Sequence, residues 1–83
     1  MKTKNTMYEE IFCGLYQSID WMVASYNNKD YERNHVNYGS ATAYAKILIS
    51  MGHKVSLKVY GKEGYLLTDS IEVDGTTYDF FHK

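Results

Sequence analysis

The run Ser40–Gly52, SATAYAKILISMG, constrains this chain more than any other stretch. Stepped as a helix, Ala41, Tyr44, Ala45, Ile47, Leu48, Ile49 and Met51 spread over more than half of the circumference. Only Thr42, Lys46 and Ser50 form a polar strip. A helix of this kind needs cover on most sides, so the rest of the chain is expected to wrap it. Ser40 suits the cap that starts it, and Gly52 the left-handed position that ends it. His53 and Lys54 then bring positive charge to the negative end of the dipole.

A first helix precedes it. Tyr8, Ile11, Phe12, Leu15, Ile19, Met22, Val23 and Tyr26 recur at three- and four-residue steps, which is the period of one helical stripe. Thr6-Met7-Tyr8-Glu9 fits a capping box at its start, and Asn27-Asn28 is expected to stop it. Gly14, Ser18 and Ser25 lie away from the stripe with Met7 and Trp21. Small residues beside the only tryptophan make a face that a partner can approach closely, with Trp21 as anchor. Self-association through helix 1 is a second use of that face. The competing arrangement folds Trp21 under the polar segment Asn28–Gly39, which is expected to be a connection with at most a helical turn from Asp30.

After Gly52 the period changes from 3.6 to 2. Val55, Leu57 and Val59 alternate with Ser56, Lys58 and Tyr60, as in a strand with one apolar face. Lys62-Glu63-Gly64 reads as a three-residue hairpin loop that sets Val59 opposite Leu67. A second strand runs from Tyr65 to Val73, with Asp69 marking an edge or a bulge. Asp74-Gly75 is the clearest local signal, a two-residue type I′ turn that sets Ile71 opposite Tyr78. The expected fold is therefore α+β: a single domain, residues 1–83, with two helices followed by a three-stranded antiparallel meander. Helix 2 is expected between helix 1 and the sheet. The outer sheet face is expected to carry Tyr60, Leu66, Glu72, Thr77, Asp79 and Phe81.

Charge narrows the partners. Residues 29–62 carry six cations against Asp30 and Glu32, whereas residues 63–83 carry five carboxylates against Lys83. The acidic-aromatic sheet face, with Glu72, Asp79 and Phe81, offers a second surface for a basic protein. Lys29, Arg33, Lys46, Lys54 and Lys58 make the alternative, a basic patch for nucleic acid; the net charge of −1 and the lack of a reader motif weigh against it. Nine tyrosines suit half-buried edges and binding surfaces alike.

Catalytic chemistry finds little footing. Cys13 has no histidine one helical turn away, and a thiol nucleophile needs a base in reach. His53 and His82 flank opposite ends of the meander, so they share no metal, and no zinc or calcium spacing occurs. Gly61-Lys62-Glu63-Gly64 lacks the length and the helix of a phosphate loop. No cofactor and no metal is expected, and the chain reads as non-enzymatic. One cysteine excludes an internal disulfide, and neither a leader pattern nor a long apolar run is visible, so a cytoplasmic setting without membrane association is expected.

Small size, absence of proline, enrichment in Asn, Lys and Tyr, and no catalytic constellation look like small phage and mobile-element proteins, such as anti-CRISPR proteins. No residue motif carries this resemblance; it is one of character. It implies a protein-binding module that inhibits host nucleic-acid-handling machinery.

Overall fold

The computed structural model describes residues 4–80. Helix α1 spans Lys4–Asn27 and helix α2 spans Tyr31–Ser50. Five short strands follow: β1 Val55–Leu57, β2 Tyr60–Lys62, β3 Tyr65–Leu67, β4 Ser70–Val73 and β5 Thr76–Asp79. The class is α+β.

The boundaries of both helices differ from the sequence expectation. Thr6 lies inside α1, which already includes Lys4, so it is not the residue before the helix that a capping box requires. At the other end Lys29, with φ 58°, takes the left-handed position. Its amide bonds to the Tyr26 carbonyl, and that of Asp30 to Ser25 at 2.8 Å, the pair of bonds of a Schellman ending. The connection to α2 is thus three residues long, not the twelve expected. Asp30 caps α2 by accepting from the Arg33 amide at 3.1 Å. Asn34, Asn37 and Gly39 are helical in spite of their propensities, and Ser40 sits mid-helix rather than at a cap. The end of α2 is as expected. Gly52 has φ 98°, and the amides of Gly52 and His53 return to Ile49 and Leu48.

The sheet is a meander with a break. β4 and β5 pair with Ile71 opposite Tyr78 and Val73 opposite Thr76. Asp74 and Gly75 both have positive φ, as a type I′ turn requires. β1 pairs with β4, Leu57 opposite Ile71. β2 and β3 form a separate two-stranded ribbon with Tyr60, not Val59, opposite Leu67. Glu63 (φ 56°) and Gly64 (φ 87°) close that ribbon as a two-residue turn, so the expected three-residue loop is corrected and the register moves by one. Between the two pairings Lys58 and Val59 face three residues, Thr68, Asp69 and Ser70. That extra residue falls where Asp69 interrupts the pattern. The Thr68 hydroxyl holds the break, its one proton shared between the carbonyls of Lys58 and Ser70, both within hydrogen-bond reach.

Both helices lie on the sheet, side by side. Leu15, Ile19 and Met22 of α1 are fully buried with Leu48 of α2, among Ile71, Val73 and Phe80. Phe12 meets Tyr78 with ring centroids 4.9 Å apart, and Tyr16 meets Phe80 at 4.7 Å. The expectation that α2 separates α1 from the sheet is therefore overturned. The reason lies in α1, whose small residues face α2 while its aromatic residues reach β5. With α2 at the side of the layer, Ile47 and Ile49 stay 41% and 53% exposed, so full cover of that helix is not achieved either. Asn34 is the one fully buried polar residue among the largest core side chains, and it ties α2 to α1 and β3.

Candidate functional site

The surface around Trp21 is built by the α1–α2 crossing. Gly14 receives the Tyr44 ring: a Cβ placed there would stand 2.5 Å from the ring's Cζ. Ser18 and Ser25 are buried, and the Ser25 hydroxyl donates to the Trp21 carbonyl at 2.7 Å. The row of small residues is therefore occupied by the chain's own second helix, which leaves Gly14 and Ser18 no room for an outside partner. Trp21, one turn along, is different. It is 53% exposed, and the loop expected to cover it is instead the first turns of α2.

Those turns set Arg33, Val36 and Asn37 beside Trp21, around an open depression of about 690 Å³ that also touches Asn28 and Asp30. Val36 is 61% exposed, the highest value among the large exposed apolar side chains of the described residues. An indole beside a bare valine, bordered by amides and by a guanidinium 3.3 Å from Asp30, combines apolar area with polar orientation. Arg33 and Val36 were missed as parts of this surface because their segment does not read as helix; once Asp30 is taken as a cap, a three-residue step places them together.

The other expected residues are dispersed. Glu72 and Asp79 stand exposed on the outer sheet face, opposite Thr77 and Ser70. Leu66 does not join them, since it packs partly buried against the core. Tyr60 belongs to the β2–β3 ribbon and donates to the Asp69 carboxylate at 3.0 Å, which raises the phenol pKa. Phe81 lies outside the described residues. Neighbours in the three-stranded sheet's outer rows are Ser56, Glu72 and Thr77, so that face is polar.

The five cations expected to form one patch separate into two groups. Lys29 approaches Glu63 at 3.8 Å and lies 4.2 Å over the Tyr26 ring, while Arg33 meets Asp30. Lys46 sits thirteen residues farther along α2 than Arg33, roughly 20 Å on a helix, with Lys54 and Lys58 at the two ends of β1.

At the opposite end of the fold Asp74 accepts from the Lys54 amide at 2.9 Å and meets His53 Nδ1 at 2.7 Å. The Lys54 hydrogen bond first, then the His53 contact, lower the Asp74 pKa. The His53 ring lies 4.4 Å from that of Tyr8. This cluster joins the end of α2 to the β4–β5 turn. Among the described residues, no group of three or more His, Cys, Asp or Glu side chains is placed to hold a metal ion. Cys13 is exposed and unbridged. No described helix is long and apolar enough to cross a membrane. Compared with known proteins, the chain matches no family model, and neither a curated protein nor a solved structure matches it.

Proposed function

We propose that this chain is a small, non-enzymatic protein-binding module that engages its partner through Trp21. The observation that supports this most is the only tryptophan, 53% exposed, lining one depression with the still more exposed Val36. Leaving two large apolar side chains exposed around one depression costs free energy that burial under a partner recovers. Arg33 and Asn37 on the rim would orient that partner. The depression is an open helix–helix surface, which suits a protein better than a small molecule, whose site encloses most of it. An inhibitor of a larger assembly is the role we assign to such a compact binder. A cytoplasmic setting accords with an exposed thiol at Cys13.

Affinity capture from the source cell, with wild-type protein and Trp21→Ala as baits, tests the reading. Truncating a central aromatic anchor costs at least about 2 kcal/mol of binding, a loss of roughly thirtyfold in affinity. A partner retained equally by both baits defeats the proposal. Steep loss of affinity for generic nucleic acid with added salt, with no protein captured, replaces it by the basic-patch reading.

A further inference from the structure

β1 is the edge of the three-stranded sheet, and its free side looks onto a groove, not onto open water. The hydrogen-bond alternation fixes what that side presents. The Asp74 amide donates to the Lys54 carbonyl at 2.8 Å, so Lys54 and Ser56 spend their main-chain groups on Asp74 and Glu72 across the ladder. In an antiparallel pair the intervening residues then point the other way. The amides and carbonyls of Val55 and Leu57 therefore face the groove, and no other described element of the sheet pairs with them.

The groove is about 400 Å³, with Val55, Leu57 and Val59 on one wall. Tyr38, Thr42, Lys46 and Ile49 of α2 form the other. These α2 residues lie nearly opposite Arg33, Val36 and Asn37 on the helical circumference, so this surface is separate from that of Trp21. Ile49 is 53% exposed here. Lys54 and Lys58, with Ser56 between them, carry the exposed outer side of β1. Of the carboxylates near these lysines, that of Asp74 is engaged by His53 and by the Lys54 amide, and Glu72 stands opposite Ser56 on the same outer face, one negative charge against Lys54 and Lys58.

We propose that this edge takes up an extended segment of another protein as a fourth strand, and that the segment alternates apolar and acidic residues. Its main chain meets the unspent groups of Val55 and Leu57, which is how strand addition gains affinity. Every second side chain drops into the groove between β1 and α2, against Ile49 and Tyr38. The intervening side chains stand on the outer face next to Lys54 and Lys58, where carboxylates make favourable cross-strand pairs. Lys46 on the groove wall favours the same sign of charge. The β5 edge is a poorer acceptor, because it offers Thr77 and the acidic Asp79.

The test uses the whole protein and a short synthetic peptide that alternates isoleucine with glutamate. Two further peptides serve as comparisons: one N-methylated at every second amide, and one with lysine in place of glutamate. Amide hydrogen exchange is followed residue by residue. In the free protein Val55 and Leu57 exchange fast and Ser56 slowly. Saturating glutamate peptide slows Val55 and Leu57 at least about tenfold, whereas Ser56 hardly changes. Lys46→Glu combined with Lys58→Glu weakens the peptide at least about tenfold without lowering the melting temperature. The N-methylated and lysine peptides bind far more weakly. Absence of binding overturns the proposal, as does binding that slows exchange only around Trp21. Equal binding of the N-methylated peptide removes strand addition. Slowed exchange at Val55 and Leu57 in concentrated protein alone, with a dimer in sedimentation, makes a second copy the occupant and overturns it too.

Discussion

Asn34 engages both main-chain groups of Leu66 at once. Its Oδ1 accepts from the Leu66 amide at 2.7 Å, and its Nδ2 donates to the Leu66 carbonyl at 2.9 Å. The same nitrogen donates to the Met22 carbonyl at 2.8 Å. A side chain of α2 thus plays the part of a neighbouring strand for β3, and it does so with no solvent exposure.

Asn34→Ala is accordingly expected to cost roughly 2–4 kcal/mol, because it strands buried polar groups rather than merely removing a contact. Asn34→Asp is expected to be worse at neutral pH. A carboxylate cannot donate, and it would face two carbonyl oxygens. Protonation restores one donor, so the gap between the two variants should narrow on going to about pH 4. Urea unfolding of both variants at the two pH values checks this; an Asp variant as stable as wild type at pH 7 refutes it.

Gly14 and Tyr44 form a second coupled pair. Gly14→Ala should raise helix propensity by about 1 kcal/mol, yet the new methyl would displace a ring now 2.5–2.9 Å from its position. The expected result is a net loss in the wild-type background and a gain once Tyr44→Ala is present. A double-mutant cycle measures the coupling, expected within the range of roughly 0.5–3 kcal/mol for residues in contact. Additive effects would mean that the ring moves aside freely.

Gly39 sits within α2, exposed, with no atom within 4 Å of where its Cβ would be. Gly39→Ala should therefore stabilise by about 1 kcal/mol, or about 4–8 °C in melting temperature for a domain of this size. No change, or a loss, in circular dichroism melts would show that α2 does not run through this position.

Local backbone signals were legible in the sequence; tertiary ones were not. Asp74-Gly75 and Gly52 could be read directly, because each signals through its own backbone preference. The first half of α2 could not, since Asn34, Asn37 and Gly39 are poor helix formers locally and Asn34 is retained by bonds to Met22 and Leu66. The β2–β3 register slipped because Glu63 adopts a positive φ usual for glycine or asparagine. On α1 the helical period separated the apolar stripe from Gly14 and Ser18 correctly. It had no means of saying that α2 covers the second face while the sheet covers the first. Trp21 stood out from the start; its neighbours Arg33 and Val36 emerged only with the helix that carries them.

Asp74→Asn isolates a charge without disturbing a turn, because asparagine also suits the left-handed position there. The folded Asp74 has its pKa lowered below the ordinary 3.8, first by the Lys54 amide and then by His53. A carboxyl group with a lowered folded pKa adds stability above its unfolded value and loses it as pH falls through the folded one. Wild type should thus be the more stable protein at pH 7, and the two should converge below about pH 4. Parallel pH profiles for the two proteins would show that the contact contributes nothing.

The lone indole of this chain sits on its rim rather than in its centre, and that decides what light can report. Tryptophan emission shifts and brightens when water leaves the ring, and about half of Trp21 already meets water when the protein is folded. Heating or denaturant will empty the core of Leu15, Ile19 and Leu48 with little spectral sign. A partner that covers the ring will shift the emission to the blue in a protein whose fold has not changed at all.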